Sequence, residues 1–147
     1  MIFDNTLLFS DGQAVTADAA STNVIDLGAT GTTWAGQALG RDIGKGNRVP
    51  LSITVTEAFN NLTNVAIILQ SDDNSGFSSA KTVVSQTVVL ADLTLGKQID
   101  FPDYIPQGAN ERYLRLYYDI TGTAPTTGKF TAGVVAARQT AFVGGAG

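Results

Sequence analysis

The stretch RYLRLYYDI, residues 112–120, alternates between two kinds of side chain with a period of two. One face carries the apolar set Leu114, Leu116, Tyr118 and Ile120. The opposite face carries Tyr113, Arg115, Tyr117 and Asp119. Successive side chains of a β-strand point to opposite faces of a sheet. The pattern therefore predicts a strand with one face on a core and the other toward water or a partner.

The same alternation recurs in LSITVTEAF (51–59) and in KFTAGVVAA (129–137). Their predicted core faces carry Leu51, Ile53 and Val55 in the first stretch, and Phe130, Ala132 and Val134 in the second. Further strands are predicted at 2–9, 14–20, 22–27, 64–70, 82–90 and 97–101. Turn residues separate these runs at 10–12, 59–64, 72–76, 106–111 and 121–128. We find no amphipathic helix and expect only a short helical turn at 91–95.

This series of short strands predicts an all-β fold. We expect a single-domain, jelly-roll-like β-sandwich of about eight to nine antiparallel strands over residues 1–142. The connections differ widely in length, and one of them spans about twenty residues from Gly28 to Arg48, which favours a jelly roll or Greek key over a meander. Residues 143–147, VGGAG, are predicted to form a flexible C-terminal tail.

The composition of the 147-residue chain argues against most enzyme classes. The chain has no Cys and no His, so it lacks thiolates, imidazole metal ligands and the commonest general base. We therefore expect no catalytic residue, no cofactor and no metal site. An enzyme that uses only carboxylates ranks third, behind two functions that need no catalysis. The nine basic residues are scattered in a chain of net charge −4, which argues against nucleic-acid binding. No apolar run approaches membrane-spanning length, and the N-terminus lacks the basic region of a signal peptide.

The acidic stretch DDNSG, residues 72–76, has two interpretations. An EF-hand calcium loop needs Gly at its sixth position and Glu at its twelfth, and neither Asp72 nor Asp73 as a starting residue satisfies this pattern. The favoured interpretation is a polar connection between strands, in which Gly76 takes a positive φ and Phe77 anchors the exit. A loosely bound surface calcium ion is the alternative.

The stretch WAGQALGRDIGKGNR, residues 34–48, resembles a phosphate-binding loop only superficially. The required Gly before the Gly44-Lys45 pair is Leu39, and the required Ser or Thr after it is Gly46. Long loops in compact domains are commonly functional. Trp34, Arg41 and Arg48 are therefore candidate partner contacts. An equally favoured interpretation of Trp34 is that it plugs the end of the sandwich.

The outward set of the first stretch, Tyr113, Arg115 and Tyr117, has three interpretations. An aromatic stripe on a sheet is typical of a carbohydrate platform, and the combination of Tyr with Arg is typical of a protein interface. The third interpretation is a sheet face that a neighbouring loop covers.

Three long phrases of the chain carry a resemblance to a known family. They are MIFDNTLLFSDGQAVTADAASTNVIDLG at the N-terminus, LQSDDNSGFSSAKTVV in the centre, and YLRLYYDITGTAPTTGKFTAGVV near the C-terminus. Together they resemble the capsid cement proteins, also called decoration or stabilisation proteins, of short-tailed double-stranded DNA phages. The resemblance implies a jelly roll without enzymatic activity on the outside of an icosahedral head.

The resemblance also implies partners and a location. The expected partner is the major capsid protein, whose subunits the cement protein bridges. Independently of the resemblance, a symmetric homodimer would repeat the same contact patch on each protomer, so we also expect further copies of this chain as partners, as a homodimer first and a homotrimer second. We expect synthesis in the host cytoplasm and a final place on the outer capsid surface of the virion. Phe142, beside the predicted tail, is a further candidate contact. The alternative is a carbohydrate- or receptor-binding β-sandwich of a phage particle.

Overall fold

The computed structural model describes residues 2–100 and 102–138. In this part of the chain it contains eight strands and two short 3-10 turns, Asn5–Leu7 and Leu90–Asp92. The strands are β1 (Leu8–Ala14), β2 (Ala19–Ala20), β3 (Ile25–Asp26), β4 (Leu51–Glu57), β5 (Leu62–Asp72), β6 (Lys81–Val89), β7 (Tyr113–Gly122) and β8 (Lys129–Val134). The predicted all-β fold class is confirmed.

The strands form two antiparallel sheets. Sheet I has the order β1-β8-β4, and sheet II has the order β2-β7-β5-β6, with β3 beside β2 on the same edge of β7. The residues after β6 extend sheet I beyond β4, since Val55 N–H donates to Lys97 O at 2.9 Å and Ile99 N–H donates to Ile53 O at 2.8 Å. The chain thus crosses repeatedly between the two sheets, as it does in a jelly roll.

The core lies between the two sheets. Sheet I contributes the predicted inward residues of β4 and β8, and sheet II contributes those of β7 together with Val65, Ile67 and Leu69 of β5. All are fully buried apart from two at the ends of the strands, Ile120 and Val134. The Tyr118 ring of sheet II stacks on the Phe130 ring of sheet I, with their centroids 5.0 Å apart. Removal of this apolar surface from water is the main stabilising contribution to the sandwich.

A buried polar chain closes the edge of the sandwich between β1 and β2. The Tyr118 hydroxyl lies 2.8 Å from the Ser10 hydroxyl, which donates to Gln13 Oε1 at 2.7 Å. Gln13 Nε2 in turn donates to the Ala20 carbonyl at 2.8 Å. Burial raises the pKa of Tyr118, and its hydroxyl is satisfied inside the core, as a buried polar group must be.

Several strand boundaries differ from the prediction. The strand predicted at 2–9 begins only at Leu8, because the Asp4 carboxylate accepts hydrogen bonds from Thr6 N at 2.8 Å and Thr6 Oγ1 at 2.6 Å and so favours a 3-10 turn. The strand predicted at 14–20 is reduced to β2, because residues 15–18 carry the chain from sheet I to sheet II. The predicted strand at 97–101 bonds to β4 only irregularly, and Pro102 next to it has no N–H to donate.

Strand directions place the connections at two ends of the sandwich. We call residues 27–50, 73–80 and 105–112 the loop end. We call residues 15–18, 58–61, 90–96 and 123–128 the turn end. The predicted tail, residues 143–147, lies outside the described residues. None of the described helical segments has the length and apolar character needed to cross a membrane.

Candidate partner-binding surfaces

The loop end carries a small hairpin formed by residues 31–39. Thr33 N–H donates to Gln37 O at 2.8 Å, and Leu39 N–H donates to Gly31 O at 3.0 Å. Gly36 closes the tip with a φ of +78°, a conformation in which glycine is favoured. We call this segment the Trp34 hairpin.

The Trp34 side chain is fully exposed at the tip of this hairpin, with a relative exposure of 100%. Leu39 is 48% exposed on the same hairpin. The interpretation of Trp34 as a plug for the sandwich is therefore wrong. The hydrogen bonds that build the hairpin are local, so the segment holds its own shape without burying Trp34.

The base of the hairpin is fixed to the sandwich. Arg41 Nη2 donates to the Gly28 carbonyl at 2.7 Å. The Asp42 carboxylate accepts from Gly44 N and from Gly108 N, both at 3.0 Å. Gly44 also lies so close to Pro106 that an added Cβ would stand 1.9 Å from the Pro106 carbonyl oxygen. Arg41 thus positions the loop, and Asp42, which was not among the predicted contact residues, joins it to the 105–112 segment.

Arg48 lies farther along the same loop and is exposed. Its guanidinium stands 4.5 Å from the centroid of the Tyr104 ring, in cation–π geometry. The two side chains border a cleft of about 260 Å³ whose other walls include Pro50 and Arg138. Arg48 therefore presents a charged group at the surface, and that group lies over an aromatic ring.

The three residues Tyr113, Arg115 and Tyr117 share the outer face of sheet II, as the alternation predicts, and all are half-buried. Arg115 Nε donates to Gln70 Oε1 on β5 at 2.8 Å. Its guanidinium also lies 4.2 Å from the centroid of the Phe77 ring. We call the outer surface around these three residues the Tyr-Arg-Tyr face.

A neighbouring loop covers one end of this face. Phe77, in the 73–80 connection, is buried beneath Arg115 and takes a φ of +51°. The prediction that Phe77 anchors this loop is confirmed, but the positive φ falls on Phe77 and not on Gly76. Arg112 borders the same end of the face, where it forms a two-point pair with Asp26 at 2.7 and 2.8 Å.

Asp72 is not the solvated turn residue that the sequence suggests. It is fully buried at the end of β5, where its carboxylate accepts from Asn74 N, Ser79 N and Ser79 Oγ at 2.8–3.1 Å. Burial alone would raise the pKa of this carboxyl, but the hydrogen bonds outweigh it and lower the pKa from 3.8 to about 2. Asp72 therefore acts as the charged centre that organises the 73–80 loop.

The acidic surroundings of Asp72 do not form a metal site among the described residues. A hydrogen bond to the Asp72 carboxylate raises the pKa of Asp73, and partial burial and the Glu111 charge add to the effect. Glu111 forms a close ion pair with Lys81. The Asp72 carboxylate is thus bonded to the loop backbone, and the Glu111 carboxylate is paired with Lys81.

The predicted contact residues fall into two separate groups. The Tyr-Arg-Tyr face brings three of them together, while Trp34 and Arg48 lie on the long loop at the loop end. Phe142 lies outside the described residues. The exposure of Leu39 was not predicted from the sequence. Asp42 carries a signal that could have been used, since Asp two residues before Gly is a recognised turn signature.

A protein-family model, Bbp16, matches residues 9–134. The chain belongs to the Bbp16 family. The matched range runs from Phe9 in β1 to Val134 at the end of β8, so in this Bbp16-family chain it includes both sheets, the Trp34 hairpin and the Tyr-Arg-Tyr face. No curated protein matches the chain at a significant level.

Proposed function

We propose that this chain is a capsid cement protein that binds the outside of a phage head and bridges major capsid protein subunits. The observation that carries the proposal is that two groups of candidate contact residues lie on different parts of one sandwich. The Trp34 hairpin projects from the loop end, and the Tyr-Arg-Tyr face lies on the outer side of sheet II. A bridging protein needs at least two such surfaces.

Two further points support a role on a phage particle. The three long phrases resemble cement proteins, and the name of the Bbp16 family suggests a phage-type protein.

The physical role of such a protein is to raise the cost of opening a seam between shell subunits. Once one surface has bound, the second meets its site at a high effective concentration, so the two contacts together exceed either one alone. Self-association would add further linked contacts, and we propose a homodimer first and a homotrimer second.

Cosedimentation with shells tests this proposal. Purified chain is mixed with empty heads from a phage deleted for it, and the heads are pelleted. We expect saturable binding in a fixed ratio to the major capsid protein. If the chain stays in the supernatant at micromolar concentration, the cement function is wrong.

One observation favours a second function. Tyr113 and Tyr117 lie on one sheet face with the Arg115 guanidinium between them, an arrangement suited to stacking on a sugar ring and bonding its hydroxyls. A glycan array probed with the chain tests this carbohydrate-binding alternative. Binding that disappears in a Tyr113→Ala, Tyr117→Ala double variant would favour the alternative, and an empty array would exclude the glycans present on it.

A further inference from the structure

The Trp34 hairpin exposes more apolar surface than its own stability requires. Trp34 is 100% exposed and Leu39 is 48% exposed, and each of them stands free of the core. A fully exposed Trp side chain does not stabilise the isolated chain, because the hydrophobic effect stabilises a fold only when apolar surface is removed from water. Trp is also among the residues that contribute most to protein interfaces.

The hairpin is held in one shape before any partner arrives. The hydrogen bonds across residues 31–39 fix the tip, and the bonds of Arg41 and Asp42 fix the base. A pre-formed loop loses little conformational entropy when it binds, so more of the contact energy contributes to affinity. This rigidity distinguishes the hairpin from a loop that is merely long.

The charge along the loop indicates the chemistry of the partner. Residues 27–40 contain no charged side chain, while residues 41–48 carry three basic residues and one acidic residue. The acidic residue, Asp42, is engaged with backbone N–H groups, whereas Lys45 and Arg48 are exposed. In a chain of net charge −4, the loop thus combines a neutral apolar tip with a basic base.

From these observations we infer that the Trp34 hairpin is a wedge that inserts Trp34 into an apolar pocket on a shell subunit whose rim carries acidic side chains. The inference rests on the proposed cement function and names the contact through which it acts. Apolar insertion supplies affinity, while the Lys45 and Arg48 charges orient the approach and add an interaction that salt screens.

Quantitative binding to empty heads tests the wedge. The Trp34→Ala variant is compared with the wild type and with Leu95→Ala, which removes a 70% exposed side chain from the turn end. We expect Trp34→Ala to weaken binding by at least about tenfold, the scale of an interface hot spot, and Leu95→Ala to bind as the wild type does. Trp34→Phe should recover part of the loss.

A separate measurement tests the role of the basic side chains at the base of the hairpin. Lys45→Glu should weaken binding several-fold at low salt, with the difference shrinking at high salt. If Lys45→Glu binds as tightly as the wild type at low salt, the acidic rim is wrong.

The outcomes separate the wedge from the cement function. If the wild type binds heads and Trp34→Ala binds equally well, the wedge is wrong and the cement function stands. If the wild type does not bind at all, the cement function fails and the wedge fails with it. Sedimentation velocity tests whether a second copy of this chain, and not a shell subunit, provides the pocket for Trp34. If Trp34→Ala abolishes self-association, the pocket belongs to a second copy of this chain and the proposed shell pocket is wrong.

Discussion

The two ends of the sandwich are built on different principles. At the turn end, each short connection buries one apolar side chain against the core. The Phe59 ring lies 4.8 Å from the Phe130 ring, centroid to centroid, and directly against Gly128. Asn60 accepts from Thr126 N at 2.8 Å and donates to Thr126 Oγ1 at 2.7 Å, which ties the β4–β5 turn to the β7–β8 connection.

At the loop end, the longest connection is fixed mainly by its own hydrogen bonds and leaves Trp34 in water. Side chains that pack at the turn end stabilise the fold, while the exposed Trp34 and Leu39 of the Trp34 hairpin are available to a partner. We therefore expect stability to depend on the packed turn end and partner binding to depend on the Trp34 hairpin, so that a change in one should leave the property of the other intact.

Removal of the Phe59 ring should give the largest effect on stability. Phe59→Ala should lower the free energy of unfolding by about 3 kcal/mol, because it leaves a cavity against Phe130. Urea unfolding measures the loss. Leu95→Ala, an exposed residue of the same end, should change it by less than about 0.5 kcal/mol. A loss below about 1 kcal/mol for Phe59→Ala would mean that the turn end does not hold the sandwich together.

Two glycines, one at each end, differ in the space available to an added side chain. Gly128 has a φ of +136°, and an added Cβ would stand 2.2 Å from the Phe59 ring, so Gly128→Ala should cost about 2 kcal/mol or more. Gly46, in the long loop, has a φ of +90° with open space around it, so Gly46→Ala should cost only about 1 kcal/mol of backbone strain. Thermal unfolding measures both variants. Equal losses of stability in Gly128→Ala and Gly46→Ala would show that the two ends do not differ in packing.

Asp72 gives a pH-dependent prediction for the 73–80 loop. Its pKa in the folded chain is about 2, below its ordinary value of 3.8, so its contribution to stability is present above about pH 4 and is lost as the pH falls toward 2. The Asp72→Asn variant should therefore unfold at lower urea than the wild type at pH 6. The gap between their midpoints should narrow as the pH approaches 2.

The variant comparison is needed because other carboxyls titrate in the same range. The raised pKa of Asp73 opposes the effect of Asp72, and the lowered pKa of Asp26, which Arg112 causes, adds to it. A gap between the midpoints that stays constant from pH 6 to pH 2 would show that the Asp72 charge does not organise the loop.

The smallest effect on stability is expected at the loop end. Trp34→Ala should leave the melting temperature unchanged and the free energy of unfolding within about 0.5 kcal/mol of the wild type, because the side chain makes no buried contact. A marked destabilisation would show that Trp34 supports the fold, and the division between the ends would be lost.

Much of the fold was predictable from local pattern. The alternation in β7 placed Leu114 and Leu116 inside and Arg115 outside, because a strand with one buried face enforces a period of two. The 3-10 turn at Leu90–Asp92 also overlaps the helical turn predicted at 91–95. Boundaries were less predictable, since the hydrogen bond from Thr6 to Asp4 overrides the strand propensity of the residues around it.

The candidate surfaces were only partly predictable. The Tyr-Arg-Tyr face followed from alternation, but the packing of Arg115 on Phe77 depends on residues far apart in sequence. The exposure of Trp34 could not be deduced, because a Gly-rich stretch has no periodicity and its hairpin depends on a few local hydrogen bonds. The burial of Asp72 was hidden because its partners, Asn74 and Ser79, are ordinary loop residues.

The central claim is that this chain fastens shell subunits together. Its most direct test is the temperature at which DNA-filled heads release their genome, measured with a DNA-binding dye for heads that carry the chain and for heads that lack it. We predict release at a lower temperature without the chain, and recovery on adding the wild-type protein back. Identical release temperatures with and without the chain would contradict the account.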